Sequence, residues 1–410
     1  RPDRPPRRFR WGSDHLRNRL DHERVHVRLE RPNDRRPVDV WIGSGEPDRR
    51  VRIRLPSYRS LAIANHLEQL DHEEVLLRRG ARAGLYTCVA VHSTVRGPAL
   101  GGCRMWEYED PRAALRDALR LSRAMTYKAA VADLPLGGGK GVIMLPPARR
   151  MPFVRRHGAL LDFADTVQAL GGRYITAEDV GTSSRDMSVI AEGTRHVAGL
   201  ARSRGGSGDP SPFTALGVEA AIRACCERIF GTDSLRGRTL CVIGLGHVGS
   251  RVARRCARAG AKLLLADVDN RKRQLAERLG ARWMDPDRAL EAAVDVLVPC
   301  ALGGVLNDET VPRLQCQIVA GAANNQLAED RIADLLAARG ILWAPDFVVN
   351  AGGLINIAQE LKEYDVASAR ARVRGIGATL REIFDDADAA RATPLTAAME
   401  LARRRLTTRA

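Results

Sequence analysis

The 410-residue chain carries 65 basic and 49 acidic side chains, a formal charge of +16, and 45% apolar residues. That length supports two or three domains with proper cores. No run approaches the roughly 18 consecutive apolar residues of a membrane span, and the Arg/Pro-rich start lacks the apolar core of a secretory signal. Eight cysteines without paired spacing are expected as reduced, buried thiols of a cytoplasmic protein rather than a disulfide framework. The basic residues are 60 Arg and five Lys: Lys128, Lys140, Lys262, Lys272 and Lys362. Where any cation serves, this chain uses Arg, so a lysine hints that a compact, titratable ammonium is wanted.

Residues 1–57 hold 16 Arg, 9 acidic residues and 7 of the 20 prolines. With no sustained apolar period, such a segment does not offset its ordering entropy. It reads as a disordered basic tail or as a leader outside the functional protein, and the second reading is favoured. A nucleic-acid arm lacks the interleaved aromatics and periodic basic face it needs. Organised sequence starts near Tyr58. The spacing of Leu61, Ile63, Leu67, Leu70, Val75 and Leu76 predicts a helix over 61–79, and 85–92 (LYTCVAVH) predicts a strand. Asp110-Pro111 then predicts a helix start, running to about Ala130, with Ala114, Leu115, Ala118, Leu119, Leu121 and Met125 largely on its buried side.

Lys128 falls near the end of that helix. Lys140 follows three glycines, which permit close approach of a ligand to the backbone, and precedes a strand at Val142–Leu145. The Gly-Lys pair is not a triphosphate loop: Leu134 stands where GxxxxGK needs its first glycine, and Gly141 replaces the Ser/Thr that binds magnesium. Neighbouring lysines lower each other's proton affinity, so one of them is a candidate base. Arg173–Thr182 is a strand-like run ending in Glu178 and Asp179, an acid placed to move protons beside the lysines.

A helix over 218–230 precedes the strand Thr239–Ile243, and Gly244-Leu245-Gly246-His247-Val248-Gly249 follows directly. A second strand, Lys262–Ala266, ends at Asp267, 23 residues after Gly244. Strand, glycine turn, helix and distal acid together form a dinucleotide-binding arrangement. An acid accepting from ribose hydroxyls favours NAD over NADP. Arg271 and Lys272 are read as a solvated helix face and His247 as exposed filler. Short strands at Val294–Pro299, Ile318–Ala320 and Ile341–Trp343 continue a doubly wound sheet. Cys300–Gly303 and Gly321–Asn325 sit at its carboxyl edge, where ligands bind.

The motifs PALGGCRMW (98–106), MTYK (125–128), LGGGK (136–140), YITAEDVGT (174–182), GDPSPFTALGV (208–218), GLGHVG (244–249), PCALGG (299–304), ANNQ (323–326) and APDFVVNAGG (344–353) occur in this order. Together they resemble the Glu/Leu/Phe/Val dehydrogenase family, nearest its leucine (branched-chain) members, over about residues 60–380. The resemblance implies a nicotinamide-dependent oxidative deamination of an L-amino acid to its 2-oxo acid and ammonium. It makes Lys140 the catalytic base that activates water and Asp179 the acid exchanging protons with the amino nitrogen. Lys128 takes the substrate carboxylate, with Leu100, Gly101, Gly102, Met125, Leu354 and Ile357 around the substrate. Thr214, Ala301 and Asn324 join Gly244–Gly249 and Asp267 at the cofactor. Glutamate-specific relatives have a lysine where this chain has Leu100, so glutamate is disfavoured.

The expected fold class is α/β in two domains, an α/β substrate domain and a Rossmann doubly wound dinucleotide-binding domain separated by a cleft. The expected boundaries are a leader at 1–57, the substrate domain at 58–199, the Rossmann domain at 200–355, and C-terminal helices at 356–410 packing back on the substrate domain. The expected cofactor is NAD, with no metal. The expected partners are the amino acid and 2-oxo acid and further copies of the chain in a homo-oligomer, with no nucleic acid and no membrane. A phenylalanine specificity on the same scaffold is the alternative, and a non-catalytic basic Rossmann-like binding protein the remote one. Cys103, where many relatives have Thr, is expected to pack rather than react.

Overall fold

The computed structural model describes residues 71–146, 151–361 and 364–407, together with the backbone of three short strands before them. Those strands are β1 (Arg28–Leu29), β2 (Val38–Gly43) and β3 (Arg50–Leu55). They lie inside the segment expected to lack regular structure. Val38, Val40 and Ile42, then Val51, Ile53 and Leu55, recur at every second position, a strand period that the Arg and Pro count obscures. The rest of residues 1–57, and residues 61–70 of the expected helix, lie outside the described residues.

β4 (Glu74–Arg79), β5 (Tyr86–Ser93), β6 (Ala99–Glu107), helix α1 (Pro111–Val131), β7 (Gly137–Leu145), α2 (Phe153–Gln168), β8 (Tyr174–Glu178) and α3 (Ser184–Ile190) follow. The expected helix over 61–79 is corrected here: Val75 and Leu76 belong to β4, which pairs antiparallel with β5. Helical spacing lost to cross-strand pairing, as tertiary context often decides for short apolar runs. The first sheet has the mixed order β1-β2-β3-β4-β5-β7-β6-β8.

α1 begins as its sequence dictates. Asp110 caps it by accepting from the Ala113 N–H at 2.7 Å, and Pro111 occupies the first helical position. Small buried residues on its inner face (Ala114, Ala118, Ser122, Thr126) bring it down onto β7. At Gly138 an added methyl carbon would stand 2.1 Å from the Thr126 backbone nitrogen, and at Gly139 2.5 Å from the Tyr174 ring. The three-glycine run before Lys140 therefore admits the helix and an aromatic ring, where the sequence reading had a ligand approaching.

α4 (Ser211–Phe230), β9 (Thr239–Ile243), α5 (Gly249–Arg258), β10 (Lys262–Ala266), α6 (Arg273–Arg278), β11 (Arg282–Trp283), α7 (Pro286–Ala289), β12 (Val294–Pro299), β13 (Cys316–Val319), α8 (Ile332–Ala338) and β14 (Leu342–Trp343) build the second sheet. Its order is β11-β10-β9-β12-β13-β14, parallel throughout. This is the doubly wound dinucleotide-binding order, whose direction reverses between β9 and β12.

Helices α9 (Asp346–Val349), α10 (Gly352–Ala358), α11 (Val366–Arg374), α12 (Ile376–Ala390) and α13 (Pro394–Thr407) close the chain. The last returns to α1, where Arg405 Nη1 donates to the Val131 carbonyl at 2.6 Å. All eight cysteines are free and all but Cys300 are buried. Among the described residues no helix is long and apolar enough to cross a membrane.

Candidate active site

The register of β7-β6-β8 assembles the first half of the site. Cys103 on β6 pairs with Gly141 of β7 on one side and Glu178 of β8 on the other. Lys140, one residue before Gly141, and Asp179, one after Glu178, are thus brought to the same place. Lys140 Nζ donates to Asp179 Oδ2 at 2.6 Å, and the Lys140 side chain is only 6% exposed. The turn after β8 fixes Asp179. Its N–H donates to Thr182 Oγ1 at 3.0 Å, and that hydroxyl donates to the Cys103 carbonyl at 2.7 Å.

Burial raises the Asp179 carboxyl, but the Lys140 ammonium and the Arg104 guanidinium outweigh it and hold it below its ordinary value. Burial lowers the Lys140 ammonium, with Asp179 opposing. Cys103 is fully buried and its thiol is pushed well up by desolvation, so it is an inert packing group.

Lys128 comes from the last turn of α1 and reaches the residue that ends α9. Its Nζ donates to Asn350 Oδ1 at 2.5 Å. Asn350 Nδ2 in turn donates to Asn324 Oδ1 at 2.8 Å and to the Ala322 carbonyl at 3.2 Å. A single polar chain therefore joins α1 to the loop after β13. Burial lowers Lys128 to about 8, opposed by Asp346 and aided by Lys140. Asp346 is itself raised by burial, although its carboxylate accepts from the Gln326 N–H at 2.8 Å.

Leu100, Leu354 and Ile357 belong to one buried apolar cluster on which Met125 packs. Gly102 lies against Asp179: a methyl carbon added there would stand 2.6 Å from Asp179 Cβ. Gly101 is as tight, with the Gly139 carbonyl oxygen 1.7 Å from an added methyl.

The second half forms at the carboxyl edge of the parallel sheet. Gly244 turns out of β9 with φ +92°, and a methyl there would meet Ala301 Cβ at 2.6 Å. Asp267 holds the turn: its Oδ2 accepts from the Leu245 N–H at 2.5 Å and its Oδ1 from the Asp269 N–H at 2.8 Å. Gly246 and His247 are exposed, with open space where a Gly246 side chain would be, and α5 starts at Val248–Gly249 without a side-chain cap. A helix start beside a glycine turn suits a pyrophosphate, through the helix dipole and close backbone approach. Thr214, on the first turn of α4, faces Gly353, where an added methyl would lie 2.9 Å from its hydroxyl. Arg271 is exposed and pairs with Asp269 at 2.9 Å, as expected of a solvated face. These residues fit a dinucleotide.

Three residues with clear roles in this geometry escaped the sequence reading: Asn350, Asp346 and Arg104. Asn350 and Asp346 sit in the APDFVVNAGG run and Arg104 in PALGGCRMW, but no local pattern marks them. Only contacts made 222 residues apart (Lys128 to Asn350) and 75 apart (Arg104 to Asp179) do. Among the described residues no cluster of His, Cys, Asp and Glu is arranged to hold a metal ion.

Residues 73–196 match the dimerisation domain of Glu/Leu/Phe/Val dehydrogenases, and residues 263–387 match the glutamate/leucine/phenylalanine/valine dehydrogenase domain. A leucine dehydrogenase of Thermoactinomyces intermedius is 42% identical over 326 residues, 79% of this chain and 88% of that one. A phenylalanine dehydrogenase of Caldalkalibacillus thermarum is 41% identical over 347 residues, 83% of this chain and 92% of that one. The crystal structure of L-tryptophan dehydrogenase from Nostoc punctiforme superimposes with a TM-score of 0.73 at 37% identity, covering 84% of this chain and 98% of that one.

Proposed function

Because the chain belongs to the Glu/Leu/Phe/Val dehydrogenase family, the amino acid dehydrogenases that act on CH–NH2 groups, we propose that it oxidatively deaminates branched-chain L-amino acids, leucine foremost, with NAD. The products are the 2-oxo acid, ammonium and NADH, and the reaction is reversible. The observation that carries this reading is the Lys140–Asp179 pair, 2.6 Å apart and 39 residues apart in sequence, beside the Lys128–Asn350–Asn324 chain.

Each side chain has a task set by its surroundings. Lys128, as an ammonium oriented by Asn350, pairs with the substrate α-carboxylate. Asp179, kept ionised by its two cations, takes a proton from the substrate amino group. When bound, the nicotinamide accepts the hydride that leaves the α-carbon. Lys140, lowered by burial, takes the proton of the water that adds at that carbon, a role open to lysine and closed to arginine. Leu100, Met125, Leu354 and Ile357 offer an apolar wall to the side chain. The Asp267 carboxylate, anchored by two backbone N–H groups, receives the adenosine ribose hydroxyls and disfavours a 2′-phosphate by like charge, which supports NAD over NADP. The match to a dimerisation domain supports a homo-oligomer.

A panel of leucine, isoleucine, valine, phenylalanine, tryptophan and glutamate, read by NADH absorbance with NADP in parallel, tests the reading. Highest kcat/KM on leucine with NAD is expected, and a clear preference for an aromatic substrate would move the protein to its phenylalanine- or tryptophan-acting relatives.

The pH dependence follows from Lys128. Below about 8 it is an ammonium and attracts the carboxylate; above that value it discharges and the attraction fades. The apparent KM for leucine is therefore expected to climb above pH 8, approaching tenfold per pH unit once the neutral form dominates, before any change in cofactor KM. A leucine KM flat from pH 7.5 to 10 would remove Lys128 from carboxylate binding.

A further inference from the structure

We propose that Arg104 is a positioning residue for this reaction: fixed from behind by Asp117, its guanidinium holds the Asp179 carboxylate with one oxygen turned away from both cations and open to the substrate nitrogen. The proposal rests on the assignment of Asp179 and Lys140 above.

The geometry is a clamp of three elements. Arg104 on β6 donates from Nε to Asp179 Oδ2 at 2.9 Å, the same oxygen that Lys140 reaches at 2.6 Å. Among the described residues no hydrogen bond falls on Asp179 Oδ1. Arg104 Nη1 donates to Asp117 Oδ2 on α1 at 2.8 Å. Asp117 is itself pinned: Tyr108 Oη donates to its Oδ2 at 2.8 Å and Arg120 Nη2 to its Oδ1 at 3.0 Å. Side-chain exposures of 22% for Arg104 and 16% for Asp117 keep the network largely out of water, where charge-assisted bonds are strong.

An arginine is required here by the chemistry of its neighbour. Lys140 must become neutral during turnover, and at that moment Asp179 would lose its counter-charge. Arg104 cannot lose its proton, so it remains the permanent cation at the carboxylate. The other groups facing Asp179 do not replace it. Lys128 on α1 is committed to Asn350, Cys103 on β6 and Tyr174 on β8 are held neutral by burial, and Asp117 is an anion. In a chain that writes Arg by habit the residue type alone says little. Arg82, Arg173 and Arg331 also bridge two acids, but their side chains are about half exposed, whereas Arg104 makes its bridge largely out of water and onto Asp179.

The test compares Arg104→Gln, Arg104→Lys, Asp117→Asn and Asp179→Asn in the full chain, with folding checked by circular dichroism and kcat and KM for leucine measured across pH. For Arg104→Gln, kcat is expected to fall about 10- to 100-fold with leucine KM within about threefold. The acid limb of its kcat profile moves to higher pH, because Asp179 has lost a cation and protonates more readily. Arg104→Lys restores part of kcat. Asp117→Asn keeps the Arg104 charge but frees its orientation, so kcat falls while the acid limb does not rise.

A folded Arg104→Gln enzyme with kcat within twofold of wild type and an unmoved acid limb overturns the proposal. If Arg104→Gln does not fold, Arg104→Lys and Asp117→Asn decide: undiminished kcat in both overturns it. Full turnover by Asp179→Asn would instead bring down the assignment of the acid. An inactive Asp179→Asn beside a normal Arg104→Gln refutes the positioning alone.

Discussion

Lys140→Ala is expected to lower kcat for leucine by about 10²- to 10⁴-fold, the usual share of a positioned general base. The protein should remain folded, because Arg104 still pairs with Asp179 at 2.9 Å and the buried carboxylate is not orphaned. Cofactor binding should persist, since Lys140 lies on β7 of the first sheet and the Gly244–Gly249 turn follows β9 of the second. Lys140→Arg is the sharper variant. It keeps a cation against Asp179 but cannot surrender a proton, so it is expected to be nearly as inactive as the alanine variant. NADH absorbance gives the rate, and quenching of protein fluorescence by NAD gives cofactor affinity. A Lys140→Arg enzyme with more than a tenth of wild-type kcat would show that charge, not proton transfer, is the contribution of this residue.

Glutamate is expected to be turned over with a kcat/KM roughly 150- to 5000-fold below that of leucine, the equivalent of leaving a buried charge unpaired at about 3–5 kcal/mol. Leu100 is 1% exposed and shares its apolar cluster with Leu354 and Ile357. On the proposed assignment of Leu100, a glutamate side chain would shed water against this apolar surface, whereas a leucine side chain gains contact. Discrimination among leucine, isoleucine and valine rests on single methylenes and is worth only about 1–3 kcal/mol. Initial-rate kinetics on both substrates at one pH measure the ratio. A glutamate rate within tenfold of leucine would mean that another cation serves the side-chain carboxylate or that Leu100 lies off the substrate path.

Much of this molecule is legible in its sequence because the deciding interactions are local. The Asp110-Pro111 helix start, the strands Thr239–Ile243, Lys262–Ala266 and Val294–Pro299, and the glycine turn with its distal Asp267 are written in contiguous residues. Local rules failed where pairing partners are remote. Val75 and Leu76 have helical spacing yet pair with Ala90 and Val89 in the β4–β5 ladder. Val38–Gly43 and Arg50–Leu55 alternate in strand fashion beneath a disorder-like composition.

The chemistry divides along the same line. Sequence by itself determined the class of fold, the dinucleotide turn, and Lys128, Lys140 and Asp179 as the groups to watch, because residue type and motif order carry that information. Only the tertiary structure decided that Lys140 and Asp179 share a proton-transfer distance, that Asn350 ties Lys128 to Asn324, and that Arg104 bridges two acids. The physical reason is distance along the chain. Sheet register and helix docking bring these groups together over tens to hundreds of residues, and burial then shifts their proton affinities, neither of which is written in any short stretch of sequence.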